Sequence, residues 1–147
     1  MLEFRLMTTD DISDVLKVTS QAFSGGEGWS KSTLNAELIN HLAHCFVVLK
    51  DNEICGFANI WIIAGEANIN SITISPNFRR QGLGSFLIEN IIEYCKENNT
   101  TIVTLEVRES NIAAQNLYKK HNFNIDGERK KYYRDGETAI LMSNKNI

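Results

Sequence analysis

Arg79-Arg80-Gln81-Gly82-Leu83-Gly84 decides the fold through what stands on either side of it. Before it, Ala67 to Ile74 is rich in β-branched residues and reads as a strand, ended by Pro76, the one proline of the chain. After it, Leu83, Phe86, Leu87, Ile91, Tyr94 and Cys95 recur at helical spacing, so a long amphipathic helix opens at the glycines and stops near Glu97-Asn98-Asn99. A helix that begins this way leaves its first backbone N–H groups unpaired and aims the positive end of its dipole at the turn. Such a corner can seat an anion: Gly82 and Gly84 let a phosphate approach the backbone, and Arg79 and Arg80 add charge. The structural alternative is that both glycines only relieve crowding at a helix start beside solvated arginines. It is neither a Walker loop, lacking Lys-Ser/Thr at the required spacing, nor a dinucleotide fingerprint, because Gly82-Leu83-Gly84-Ser85-Phe86-Leu87 has no third glycine.

Working toward the amino terminus, Cys45 to Leu49, Ile54 to Ile63 and Ala67 to Ile74 read as three strands of an antiparallel meander. Their turns fall at Asp51-Asn52 and near Gly65-Glu66. Leu2 to Met7 is a further strand. Thr8-Thr9-Asp10-Asp11 offers caps for a helix with Ile12, Val15, Leu16 and Val18 on one face. Gly25-Gly26-Glu27-Gly28 breaks the chain, and a second helical pattern with Leu34, Leu38 and Leu42 follows Ser30. Toward the carboxyl terminus, Thr101 to Arg108 is a strand with Thr101, Val103, Leu105 and Val107 on one face and Glu106 on the other. Ser110-Asn111 caps a short helix carrying Ala114, Leu117 and Tyr118, and Phe123 to Ile125 and Thr138 to Met142 form a last pair of strands. Strand, two helices, three strands, helix, strand, helix, two strands implies an α/β (α+β) chain with a mixed sheet and helices on both faces.

With 147 residues and no linker-like tract, a single domain spanning 1–147 is expected. The hydrophobic share of 43% and charged share of 22% exclude a disordered chain. A net charge of -3 argues against nucleic acid as a partner, and no apolar run suggests a signal peptide or membrane span, so a cytoplasmic protein is expected. Cys45, Cys55 and Cys95 are too scattered to encode a zinc site or disulfides. His41, His44 and His121 have no partners at ligand spacing, so no metal is expected.

The corner resembles the diphosphate-binding signature of the GNAT superfamily of N-acetyltransferases, Gln/Arg-x-x-Gly-x-Gly/Ala between strand and helix, which Arg79, Gly82 and Gly84 match. The resemblance extends to the element order. It implies a GNAT-like, mostly antiparallel sheet of about seven strands, with acetyl-CoA as co-substrate held by Arg79, Arg80, Gln81, Gly82, Leu83, Gly84 and Ser85. It also implies that the backbone of Ile72, Thr73 and Ile74 binds the pantetheine arm, at a place where this strand splays from the next.

A second block, Leu105-Glu106-Val107-Arg108-Glu109-Ser110-Asn111 followed by Asn116-Leu117-Tyr118, is similar to the RimI-type branch of ribosomal-protein alanine N-acetyltransferases. In that branch Glu106 would be the general base, Tyr118 the general acid and also a cofactor contact, and Asn111 a cofactor contact. Tyr132-Tyr133 before Asp135-Gly136-Glu137-Thr138-Ala139 resembles its terminal hairpin, which offers Tyr133 to substrate. The loop from Gly25 to Trp29 resembles its substrate-side loop, except that Gly28 stands where proline is usual. Likewise Asn122 replaces the usual glycine before Phe123, and asparagine is well able to adopt the left-handed conformation.

The chemistry asks for the same residue types. An amine must lose a proton to attack a thioester, so a carboxylate that accepts it is useful, and the leaving thiolate needs a proton that a phenol can give. An α-amine with a pKa near ~8 is easier to neutralise than a lysine near ~10.4, by about 3.4 kcal/mol. The expected acceptor is therefore a protein N-terminus, such as that of a ribosomal protein, met by a monomer or homodimer. A small amine (polyamine or antibiotic) and a non-catalytic acyl-CoA-binding module are the alternatives. Read alone, Glu106 is equally an exposed strand carboxylate, Tyr118 a core-edge aromatic and Trp29 a packing residue.

Overall fold

The computed structural model describes residues 1–22 and 28–147. Its elements are β1 (Leu2–Leu6), α1 (Ile12–Ala22), α2 (Lys31–Leu38), β2 (Ala43–Lys50), β3 (Glu53–Ile63), β4 (Glu66–Ile74), α3 (Leu83–Glu97), β5 (Ile102–Arg108), α4 (Ile112–Lys120), β6 (Asn124–Arg129) and β7 (Ala139–Asn144). Short 3-10 turns at Thr9–Asp11 and Pro76–Phe78 join β1 to α1 and β4 to the approach of α3. The seven strands form one sheet in the order β1-β2-β3-β4-β5-β7-β6. Every neighbouring pair is antiparallel except β4 with β5.

Helices cover both faces, which is why the central strands are apolar on both sides. In β2, Cys45, Val47 and Leu49 pack with Ile12, Val15 and Leu34 of the first two helices. Phe46 and Val48 join Ala58, Ile60, Val103, Leu105 and the α3 residues Leu87, Ile88 and Ile91 in the larger core on the opposite face. Each fully buried side chain of this size contributes roughly 1.5–3 kcal/mol.

The turns follow from residue chemistry. Asp51 and Asn52 both take positive φ (50° and 68°), as a tight hairpin requires. Asn122 does so at 69° at the end of α4, in place of a glycine. Ahead of α1, the Asp11 carboxylate accepts from the Thr8 N–H at 2.8 Å and from both arms of Arg5 at 2.8 and 3.0 Å, which lowers its pKa.

Two boundaries depart from the periodicity. The second helix ends at Leu38 and leaves Leu42 outside it, because the Asn40 side chain accepts the Leu42 N–H at 3.0 Å and competes with the helical ladder. β6 runs to Arg129 instead of stopping at Ile125, since its polar edge residues are held by register with β7, from Asn124 opposite Ser143 to Arg129 opposite Ala139.

His44 supplies a pH test of the fold. Its Nδ1 lies 2.6 Å from the Tyr94 hydroxyl on α3, and burial lowers its pKa. The unfolded chain binds a proton near pH ~6.5 while the folded chain resists it, so stability is present above that pH and is lost as pH falls below it. Urea titrations at neutral pH and near pH 5.5 are expected to show a drop in the wild type that is smaller in His44→Gln. An equal drop in both would contradict the assignment.

Candidate active site

Parallel pairing of β4 and β5 runs from Glu66 opposite Ile102 to Ile69 opposite Leu105 and goes no further. Beyond that pair the strands part, and a cleft of about 620 Å3 opens between them, floored by α3 and α4. A bulge at Asn70, between Ile69 and Ser71 in the register with β3, bends β4 away at this level.

The first turn of α3 forms one end. Gly82 caps the helix at φ 76°, ψ 11°, and a Cβ there would meet nothing within 4 Å. The first bond across this turn runs from the Phe86 N–H to the Gly82 carbonyl at 3.1 Å, so the earlier amides point out of the helix end toward the cleft. Arg79 and Arg80, both exposed, stand at the mouth with Leu83 and Gly84.

Gly84, in the cleft lining, also faces α4. A Cβ on it would lie 3.0 Å from Leu117 Cδ2, so a larger residue there would have to displace that side chain between α3 and α4. Gly82 instead answers a left-handed backbone. Gly82→Ala is expected to lower stability by about 1–2 kcal/mol from backbone strain, read as a shift in the urea midpoint; an unchanged midpoint would contradict this.

Along the middle, Ile72 and Ile74 line the cleft with apolar surface. Thr73 alternates to the other face, is 3% exposed, and its Oγ1 has no partner among the described residues, so only its backbone is available to this side. Gln81 and Ser85 also lie outside the lining. The Gln81 carbonyl accepts from the Lys50 ammonium, and the Ser85 hydroxyl meets His121 Nε2 at 3.1 Å. Asn111 lines the cleft and caps α4, its Oδ1 accepting the Ala114 N–H at 3.1 Å.

The far end gathers the titratable groups. Glu106 is the first residue of β5 past the split; it is exposed, and its carboxylate raises the pKa of the neighbouring Tyr132 phenol. Tyr118, on α4, also lines the cleft. Its ring leans on Phe123 with centroids 5.8 Å apart, and burial, helped by the neighbouring Tyr133, pushes its pKa up to about 12. Its O–H therefore stays intact at neutral pH.

Tyr133, half-buried in the same lining, is held by a residue that the sequence left without a role. The Arg108 guanidinium lies 4.1 Å from the Tyr133 ring centroid and pairs with Asp135 at 2.8 Å and Glu137 at 2.9 Å. Glu137 in turn accepts the Ser110 N–H at 2.7 Å, and these bonds, Ser110's first, lower its pKa. Together they staple the β6–β7 connection to the rim. The signal was present in alternation, since Glu106 and Arg108 share a strand face.

Trp29 reaches β4 at Ser71, a residue of the cleft lining. Its Nε1 donates to Ser71 Oγ at 3.4 Å and its ring meets Phe57 edge-on at 5.5 Å, so it packs against β3 and braces β4. The preceding part of that loop, Gly25 to Glu27, lies outside the described residues. All three cysteines are buried and free, and burial raises their thiol pKa values, that of Cys95 to about 11. Among the described residues no group of three or more His, Cys, Asp or Glu is placed to hold a metal ion. Nor is any described helix long and apolar enough to cross a membrane.

Comparison with known proteins bears on this geometry. Residues 12–123 match the Acetyltransferase (GNAT) family. A Bacillus subtilis (strain 168) protein, named as a candidate [ribosomal protein bS18]-alanine N-acetyltransferase, is 40% identical over 140 residues, covering 94% of this chain and 91% of its own. The [ribosomal protein bS18]-alanine N-acetyltransferase of Escherichia coli (strain K12) is 33% identical over 118 residues, 78% of this chain and 79% of its own. The crystal structure of the Escherichia coli ribosomal-protein-S18-alanine N-acetyltransferase superposes with a TM-score of 0.88 at 29% identity, covering 97% of this chain and 92% of that one. PaiA N-acetyltransferase from Thermoplasma acidophilum, solved with coenzyme A, shares the fold at a TM-score of 0.85 and 18% identity, over 99% of each chain. The splayed sheet, the glycine corner and these matches lead to one conclusion: the chain belongs to the Acetyltransferase (GNAT) family and is an acetyltransferase.

Proposed function

We propose that this enzyme moves acetyl from acetyl-CoA to the α-amine at a protein N-terminus, with a ribosomal protein as the leading acceptor, through direct attack of the amine on the thioester. The observation that carries the reading is that Glu106 and Tyr118, from β5 and α4, line one cleft whose other end is the amide-rich start of α3. The residues suit the co-substrate. The Gly82–Ser85 amides with Arg79 and Arg80 offer a diphosphate seat. Ile72, Ile74 and Leu117 supply apolar walls for the arm, with Asn111 beside them.

In this scheme Glu106, directly or through a water, takes the proton from the attacking nitrogen as the N–C bond forms. Tyr118 gives its phenolic proton to the sulfur as the C–S bond breaks, and solvent restores it. At neutral pH the phenol holds its proton, as a general acid must. Tyr133, clamped by Arg108, and Tyr132, whose phenol pKa Glu106 raises, border the point where the acceptor arrives. The named relatives support an alanine N-terminus as acceptor.

Peptides beginning with Ala or Ser, the same peptides with blocked N-termini, and a polyamine panel are incubated with acetyl-CoA, and free CoA is measured. Release is expected with the free N-termini and not with the blocked ones. No release with any N-terminus, or faster release with the polyamines, would overturn the acceptor assignment.

A further inference from the structure

We infer that Asn70 is a positioning residue for the transfer, setting the level at which β4 parts from β5 and hence where the cleft wall stands relative to Glu106. This rests on the proposed role of Glu106 as the base. Two strands that have begun to pair gain hydrogen bonds with each added residue, so an opening in the middle of a sheet needs something to hold it. The last parallel pair is Ile69 with Leu105, and the next residue on β5 is Glu106 itself. The next on β4 is Asn70, the extra residue of the bulge, with Asn59 opposite Ser71 and Ile60 opposite Ile69 on β3. A bulge leaves its extra residue outside the ladder, so the side chain becomes the handle by which it can be fixed.

That handle is held from both sides by a chain of side-chain hydrogen bonds across four strands. Thr104 Oγ1 on β5 donates to Asn68 Oδ1 at 2.7 Å, and Asn68 Nδ2 donates to Asn70 Oδ1 at 2.7 Å. Asn70 Nδ2 donates to Asn59 Oδ1 at 2.9 Å, and Asn59 Nδ2 reaches Cys45 Sγ on β2 at 3.2 Å. The Thr104–Asn68 link ties β4 to β5 one step before they separate. The inner end is dry: Asn59 is 0% exposed, so its carbonyl has no water to replace Asn70, and each polarised amide strengthens the next.

Asn70 is exposed on the cleft lining, yet both ends of its amide are committed to the sheet. Removing that amide frees the bulge to shift along β3, and the backbone past Ile69 then moves against Glu106. A misplacement on the order of 1 Å costs about 10²-fold in rate. The α3 amides, at the other end of the cleft, are untouched by the change.

The test compares Asn70→Ala with the double variant Asn59→Leu/Asn70→Ala, using whichever amine the wild type acetylates best. Three quantities are read: kcat, the CoA Kd by calorimetry, and Tm. Asn70→Ala is expected to lose about 10- to 100-fold in kcat with a nearly unchanged CoA Kd, and to lower Tm because Asn59 is left without its partner. In the double variant no buried amide is orphaned, so Tm is expected to recover while kcat stays low.

Recovery of kcat together with Tm would show a purely structural role and overturn the inference, as would wild-type kcat in Asn70→Ala. Should Asn70→Ala not fold, Asn70→Asp keeps the size and the bond from Asn68 but cannot donate to Asn59. Wild-type kcat in that variant would equally overturn it. Because the acceptor is chosen by turnover, failure of the N-terminal reading leaves this test intact, and failure of the Glu106 reading shows separately in Glu106→Gln.

Discussion

Glu106→Gln is expected to lower kcat by about 10²- to 10⁴-fold, the usual contribution of a positioned general base. The substitution keeps size and shape and removes only the capacity to take a proton. Glu106 is exposed on β5, so Tm is expected to hold. The co-substrate seat lies at the start of α3, so the CoA Kd is expected to hold as well. Raising the pH should restore part of the lost rate, because an α-amine with a pKa near ~8 then loses its proton to solvent. Steady-state kinetics of CoA release across pH, with calorimetry for CoA, check all three. A variant with wild-type kcat at neutral pH would remove Glu106 from the chemistry.

Tyr118→Phe is the second large effect, expected at about 10²-fold in kcat, the lower end of the range for proton transfer by a side chain. The ring's packing on Phe123 is retained and only the hydroxyl is lost. CoA binding and Tm should therefore change little while turnover falls. If CoA affinity falls in step with kcat, the hydroxyl serves binding, and the acid role is wrong. Loss in both variants would also exclude a module that only binds acyl-CoA, since neither change touches the diphosphate seat.

Much of this site was legible because it is local. The corner from β4 into α3 is written in consecutive residues, a β-branched strand, a proline, two arginines and two glycines, and Gly82 takes the left-handed conformation such a corner requires. Glu106 stood out as a carboxylate alternating against Val103, Leu105 and Val107. What escaped is long-range. Arg108 meets Asp135 and Glu137 from 27 and 29 residues away, and no local pattern pairs them. Gly84 stood out for its place in the corner, while its packing against Leu117 of α4 had no local sign.

The parting of β4 from β5 has no periodic signature, because both strands read as complete; the resemblance implied it and the register located it at Ile69 and Leu105. Asn59 is the one amide inside the apolar run from Ile54 to Ile63, and its partner Asn70 sits on a neighbouring strand at a bulge that alternation cannot foresee. Trp29 was placed on the substrate side by a loop likeness; its indole meets Ser71 of the cleft lining and Phe57 of β3, contacts that no local pattern foretells.

All of these readings meet in the opening between two strands of one sheet, and a crystal structure of the enzyme with acetyl-CoA tests that most directly. The diphosphate is expected on the amides that begin α3, the arm along Ile72 and Ile74, and the thioester carbon between Glu106 and Tyr118. Acetyl-CoA bound with its thioester outside the β4–β5 cleft, or with its diphosphate away from Gly82, would contradict the account.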